Sequence, residues 1–81
     1  MKKVLVFGTF DGLHPGHLSL FKQARQYGDY LIVVVARDST VKKIKKRFPI
    51  RDEKERLRRV QECELVNEAR LGYKDNPYQI I

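Results

Sequence analysis

Val4-Leu5-Val6-Phe7-Gly8-Thr9-Phe10-Asp11-Gly12-Leu13-His14-Pro15-Gly16-His17 is the stretch that decides how this chain folds. Its first four residues are apolar without interruption, as in a strand covered on both faces of a parallel sheet. Glycines at 8 and 12 permit a tight turn. Pro15 then suits a first helical turn, where its missing N–H costs nothing. A strand end thus feeds a helix N-terminus, where unpaired N–H groups and partial positive charge favour phosphate. Both histidines of the chain stand in this tetrapeptide, which points to chemistry on a polyphosphate.

Downstream, Leu18, Phe21, Ala24 and Tyr27 recur at helical spacing with Lys22, Gln23, Arg25 and Gln26 between them. Gly28 stands where a left-handed helix cap is expected. Residues 30–36 form a second apolar strand rich in Val and Ile. Strand, helix and strand within about 35 residues make a βαβ unit with a right-handed crossover. A short basic helix is expected from residue 38 or 39 to 46, with Val41 and Ile44 inward and Phe48-Pro49 ending it. Asp52 with Glu55 three residues on predicts a capped helix anchored by Leu57 and Val60. A weaker strand is expected over 66–71, and Asn76-Pro77 reads as the start of another helix. The fold class is α/β: a Rossmann-like parallel sheet with flanking helices. Three strands leave an edge exposed, so the 81 residues read as part of a larger domain, or as one partner of a homodimer whose other chain supplies the missing surface.

Composition narrows the classes further. The chain is 42% hydrophobic and 33% charged, with a net charge of +7, a globular rather than disordered balance. Residues 37–59 hold eleven Lys or Arg against four Asp or Glu, so this third carries the whole excess and attracts polyanions. A lone Cys63 excludes an intrachain disulfide. No apolar run approaches a membrane span, and the start is too short for a signal peptide. No membrane partner is expected; a soluble, cytoplasmic protein is.

The glycine spacing is neither G-x-G-x-x-G nor a P-loop. Asp11, His14 and His17 could ligate zinc, but no Cys or acid cluster completes a site of standard spacing, so no protein metal centre is expected. Gly16 would let backbone N–H groups approach a phosphate.

Gly8-Thr9-Phe10-Asp11 followed by His14-Pro15-Gly16-His17 resembles the nucleotidyltransferases of the HxGH class, the cytidylyltransferase-like superfamily. Residues 36–45, with Pro49 and Arg56, resemble its archaeal FAD synthase subgroup most closely, and the likeness runs from about residue 3 to 72. The resemblance implies that residues 1–81 are the N-terminal part of a single nucleotidyltransferase domain. It implies transfer of a nucleoside monophosphate from ATP or CTP to a phosphate-bearing acceptor, with release of pyrophosphate. ATP with FMN, giving FAD, is the first expectation; CTP with glycerol 3-phosphate is the alternative. His14 and His17 would be catalytic. Gly8, Thr9, Phe10, Asp11, Pro15, Gly16, Lys46 and Arg56 would bind nucleotide or phosphate. Magnesium would screen the phosphates, with Asp11 a candidate ligand. From another class comes a basic nucleic-acid-binding module, built on the two helices around Phe48-Pro49; few aromatics lie among its charges.

Overall fold

A computed structural model describes residues 1–72 of the chain. Its elements in order are β1 (Lys3–Gly8), α1 (Pro15–Arg25), β2 (Tyr30–Val35), α2 (Asp38–Lys45), α3 (Glu53–Gln61) and β3 (Glu68–Leu71). The three strands form one sheet in the order β1-β2-β3. Both pairings are parallel, with Lys3 opposite Tyr30, Gly8 opposite Val35, Ile32 opposite Glu68 and Val35 opposite Leu71. The βαβ reading and the α/β class therefore hold. The helix expected at Asn76-Pro77 lies outside the described residues.

The central strand explains its own sequence. Leu31, Ile32, Val33, Val34 and Val35 are all buried, and a strand hidden on both faces has no position for a polar residue. Phe21 and Ala24 of α1 and Leu57 and Val60 of α3 share one core with Val4, Val6, Leu31, Val33, Val35, Ala69 and Leu71. Alternate residues of all three strands thus pack against the same pair of helices. Each fully buried Val or Leu there contributes roughly 1.5–3 kcal/mol.

Several local expectations are corrected. Gly28 is not a left-handed cap; α1 ends at Gln26 in ordinary right-handed geometry. A Cβ at Gly28 would lie 2.6 Å from Val4 Cγ2 and 2.7 Å from the Lys2 carbonyl. Glycine is needed there because α1 returns to the sheet in contact with β1. Tyr27 is 70% and Ile44 61% exposed, and Leu18 is also exposed. On α2 the inward residues are Thr40 and Val41. β3 starts at Glu68, two residues later than expected. The delay has a cause: Val66 N–H donates back to the Cys63 carbonyl. The Asn67 side-chain oxygen accepts from Leu31 N–H at 2.8 Å and from Arg25 Nη1 at 2.6 Å, while its own N–H donates to the Leu31 carbonyl at 3.0 Å, so side chain and backbone together pin the entry to the strand.

Candidate active site

The carboxyl end of β1 leads into residues 9–14, and these bend sharply. Gly12 has φ +108°, open to glycine, but Phe10 also takes a left-handed φ of 53°. That conformation costs a non-glycine residue roughly 1–2 kcal/mol. Packing holds it: Phe10 is buried, with its ring 5.6 Å from Phe21 and edge-on to His17 at 5.2 Å between centroids. The Phe10 ring also fills the space a Cβ on Gly8 would need, with Cζ at 2.8 Å. Gly8 and Phe10 are thus one steric unit supporting His17.

His14 is the N-cap of α1, and its Nδ1 accepts from Gly16 N–H at 3.0 Å. A neutral His14 therefore carries its proton on Nε2 and presents a donor outward. The His14 and His17 rings stack, 3.9 Å apart at 29°. Gly16 makes room for this, since a Cβ there would meet the His14 ring at 2.8 Å. Gly16 is consequently a seat for the imidazole, and its N–H is already engaged by it; the expectation of a free amide for phosphate is corrected.

His17 Nδ1 is buried with no hydrogen-bond partner. Burial first, and the neighbouring His14 second, lower its pKa from the usual 6.5; the Gly12 backbone pulls the other way without reaching hydrogen-bonding geometry. With Nδ1 enclosed, Nε2 is the nitrogen left for a ligand. An open cleft of about 400 Å³ lies beside the pair, lined by Gly8, Thr9, Phe10, Asp11, Gly12, His14 and His17 together with Phe7, Leu20 and Lys45. Such a mouth offers imidazole donors at the exposed start of a helix, suited to anionic oxygens.

The remaining expected site residues fall elsewhere. Pro15 opens α1 and, like Gly16, is exposed without lining the cleft. Lys46 closes α2 as a left-handed cap (φ 62°) and faces neither cleft; Lys45 lines both. Val41 and Lys45 stand four apart on one helix face, and that spacing from a buried valine is the signal that would have selected Lys45.

Arg56 departs most from expectation. It is fully buried. Its Nε donates to the Arg51 carbonyl (2.9 Å), Nη1 to the carbonyls of Thr9 (2.8 Å) and Ala36 (2.7 Å), and Nη2 to Asp38 Oδ1 (2.7 Å). A guanidinium's rigid fork suits such multiple acceptance. Arg56 thus fastens the ends of β1 and β2 to α2 and the 47–52 loop, and it is no phosphate ligand in this geometry.

Asp11 is likewise engaged. Its Oδ2 accepts from Ile50 N–H (2.7 Å) and its Oδ1 from Arg51 N–H (2.9 Å). Burial would raise its pKa, but the Arg51 and Ile50 N–H groups with the charges of Arg56 and Arg51 outweigh that and hold it below 3.8. Both carboxylate oxygens thus accept from the 50–51 backbone, and Asp11 ties that loop to the first turn. No group of three His, Cys, Asp or Glu side chains able to hold a metal gathers among the described residues.

A parallel sheet whose first strand delivers stacked imidazoles to a helix N-terminus defines a class of phosphate-handling α/β domain. The cytidylyltransferase-like family model matches residues 5–80, and the chain belongs to that family. It is 46% identical over 81 residues to the FAD synthase of Aciduliprofundum boonei, covering all of this chain and 54% of that protein. It is 47% identical over 79 residues to the FAD synthase of Methanohalophilus mahii, covering 98% of this chain and 54% of that one. The chain thus spans about half the length of the curated relatives it matches. A solved structure titled lipopolysaccharide core biosynthesis protein, from Thermoplasma volcanium, superposes with a TM-score of 0.89 at 40% identity, covering 96% of this chain and 63% of that one. No helix among the described residues is long and apolar enough to cross a membrane.

Proposed function

We propose that the intact protein is a nucleotidyltransferase that adenylylates FMN, with this chain as the N-terminal part of its catalytic domain. The observation that carries the reading is the stacked His14–His17 pair at the mouth of the β1–α1 cleft. Whole-chain likeness to FAD synthases supports the choice of acceptor.

In the proposed reaction a phosphate oxygen of FMN attacks the α-phosphorus of ATP. The bond from that phosphorus to the bridging oxygen breaks, and pyrophosphate leaves with its electron pair. An acceptor phosphate is already anionic at neutral pH, so no strong base is needed. Catalysis rests on positioning and on donors aimed at the charge that builds on phosphate oxygens. His14 supplies an Nε2–H held in place by its cap bond to Gly16. His17 stays neutral under its lowered pKa, with Nε2 its open nitrogen. Lys45 contributes positive charge from the facing helix. Arg56 and Asp11 act as positioning residues, fixing the Thr9 carbonyl and the 50–51 backbone.

The basic middle third supports a small polyanion more than a nucleic acid. Arg56 is interior, and Arg37 pairs with Glu53 at 3.2 Å and donates to the Gly72 carbonyl. Part of the apparent surface charge is therefore turned into the fold.

The test incubates the full-length protein with magnesium and either ATP plus FMN or CTP plus glycerol 3-phosphate, and follows pyrophosphate and FAD. Pyrophosphate and FAD in the first mixture alone are expected. Turnover only in the second moves the reading to the cytidylyl alternative; a folded protein silent in both overturns it.

A further inference from the structure

A second cleft, of about 270 Å³, is lined by neither histidine. It shares Thr9, Asp11 and Lys45 with the first cleft, so the two adjoin. Its own walls are Val41 and the run Arg47-Phe48-Pro49-Ile50. Each cleft is near the lower end of the roughly 300–1,000 Å³ typical of small-molecule sites.

The far wall is unusual for a connecting loop. Phe48 is 65% and Ile50 90% exposed. One exposed apolar side chain is ordinary; here two flank a proline on the rim of a concavity. The loop that presents them is held firmly. Asp11 takes the N–H groups of Ile50 and Arg51, and Arg56 takes the Arg51 carbonyl. Lys42 Nζ stands over the Phe48 ring at 5.5 Å from its centroid, a cation–π contact that helps orient the ring. Preorganised apolar surface facing a cleft costs solvation unless something covers it, and rigid platforms lose little entropy when it does. The cations Lys45 and Arg47 border the same cleft.

We infer that this second cleft is the acceptor's ring subsite: Phe48 and Ile50 form the platform for a planar aromatic system, and Lys45 and Arg47 lie toward its phosphate. The inference rests on the nucleotidyltransferase reading above and names the residues that select an aromatic acceptor over a small polyol phosphate. Phe48 supplies a π face, and Ile50, almost fully solvent-exposed without a ligand, gains burial on binding. The acceptor phosphate then lies on the Thr9 side, where the two clefts meet, within reach of a triphosphate held by the histidines.

Steady-state kinetics of the full-length protein tests this with Phe48→Ala, Phe48→Tyr and Ile50→Ala. Aromatic stacking of this kind is worth about tenfold when removed by alanine. KM for FMN should rise about tenfold in Phe48→Ala, about threefold in Ile50→Ala, and return toward the parent value in Phe48→Tyr, with KM for ATP unchanged. Quenching of FMN fluorescence on binding should weaken in the same order. Ile50→Ala alters a side chain with almost no packing to lose, so a fold defect in the Phe48 variants leaves the test intact. FAD formed by the parent, with KM for FMN unmoved in Ile50→Ala and every folded Phe48 variant, overturns the subsite but not the function. An equal rise in KM for ATP also overturns it. A parent that makes no FAD removes the reading on which both depend.

Discussion

The β1–α1 mouth and the Arg56 junction lie a few residues apart in space and treat polar groups in opposite ways. At the mouth His14 is exposed with Nε2 uncommitted, and His17 Nδ1 has no partner. At the junction a fully buried guanidinium makes four hydrogen bonds, three to main-chain carbonyls and one to Asp38. Polar groups committed to the fold make the second region rigid. Those left open give the first its capacity to bind. Residue type does not distinguish the two uses; the surrounding acceptors do.

Abolishing the junction should have the largest effect. Arg56→Met leaves three carbonyls and Asp38 without their donor, and removing one partner of a buried ion pair costs about 3–5 kcal/mol. Chemical denaturation should show a loss of that size, and Arg56→Lys should recover little because an ammonium cannot span the same acceptors. A Met variant as stable as the parent would erase the contrast between the regions.

At the mouth the reverse pattern is expected. His17→Ala and His14→Asn in the full-length protein should lower kcat by about 10²–10³, the usual loss of one donor to transition-state charge. His14→Asn keeps a side-chain cap, so its thermal midpoint should stay near the parent's, while His14→Ala should lose about 1 kcal/mol of helix capping. Equal destabilisation by both would assign His14 to the fold alone.

Asp11→Asn lies between these cases. The neutral amide can accept with one oxygen only, so one of the Ile50 and Arg51 N–H groups loses its partner, a cost of about 1–3 kcal/mol. KM for both substrates should rise together, since the residue borders both clefts.

The pH dependence should be the smallest effect. The pKa of His17 is lowered from 6.5 in the folded state, so the unfolded chain binds more protons just below that value. Stability contributed by neutral His17 is then present above about pH 6.5 and falls as pH drops toward the folded pKa. Asp11 adds a second loss below about pH 4, because its lowered pKa keeps it ionised in the native state. Melting curves between about pH 5 and 8 should show the first slope, and His17→Phe should flatten it.

Sequence alone disclosed the elements wherever an apolar run was unbroken or a cap had a chemical signature, although β1, at the sheet edge, is only partly buried where cover on both faces was expected. The unbroken apolar runs of β1 and β2, Pro15 at the head of α1, and the Asp52 side chain accepting from Glu55 N–H at 2.8 Å all left direct traces. Short amphipathic pieces were harder to phase: α2 is only eight residues, and Ile44 fell outside its inward face. The histidine pair was legible because its spacing and the turn before it are local. Arg56, Asp11 and Lys46 were not. Whether a charge faces a ligand or a carbonyl depends on partners 18 to 47 residues away, such as Asp38 and Thr9 for Arg56, and no local spacing encodes them.

The Asp11 carboxylate has one further consequence. A single side chain from the first turn grips the peptide of a loop 39 to 40 positions later, so the walls of the two adjoining clefts are coupled. Displacing either wall would break both of these hydrogen bonds, so the 47–52 segment and the first turn share one anchor.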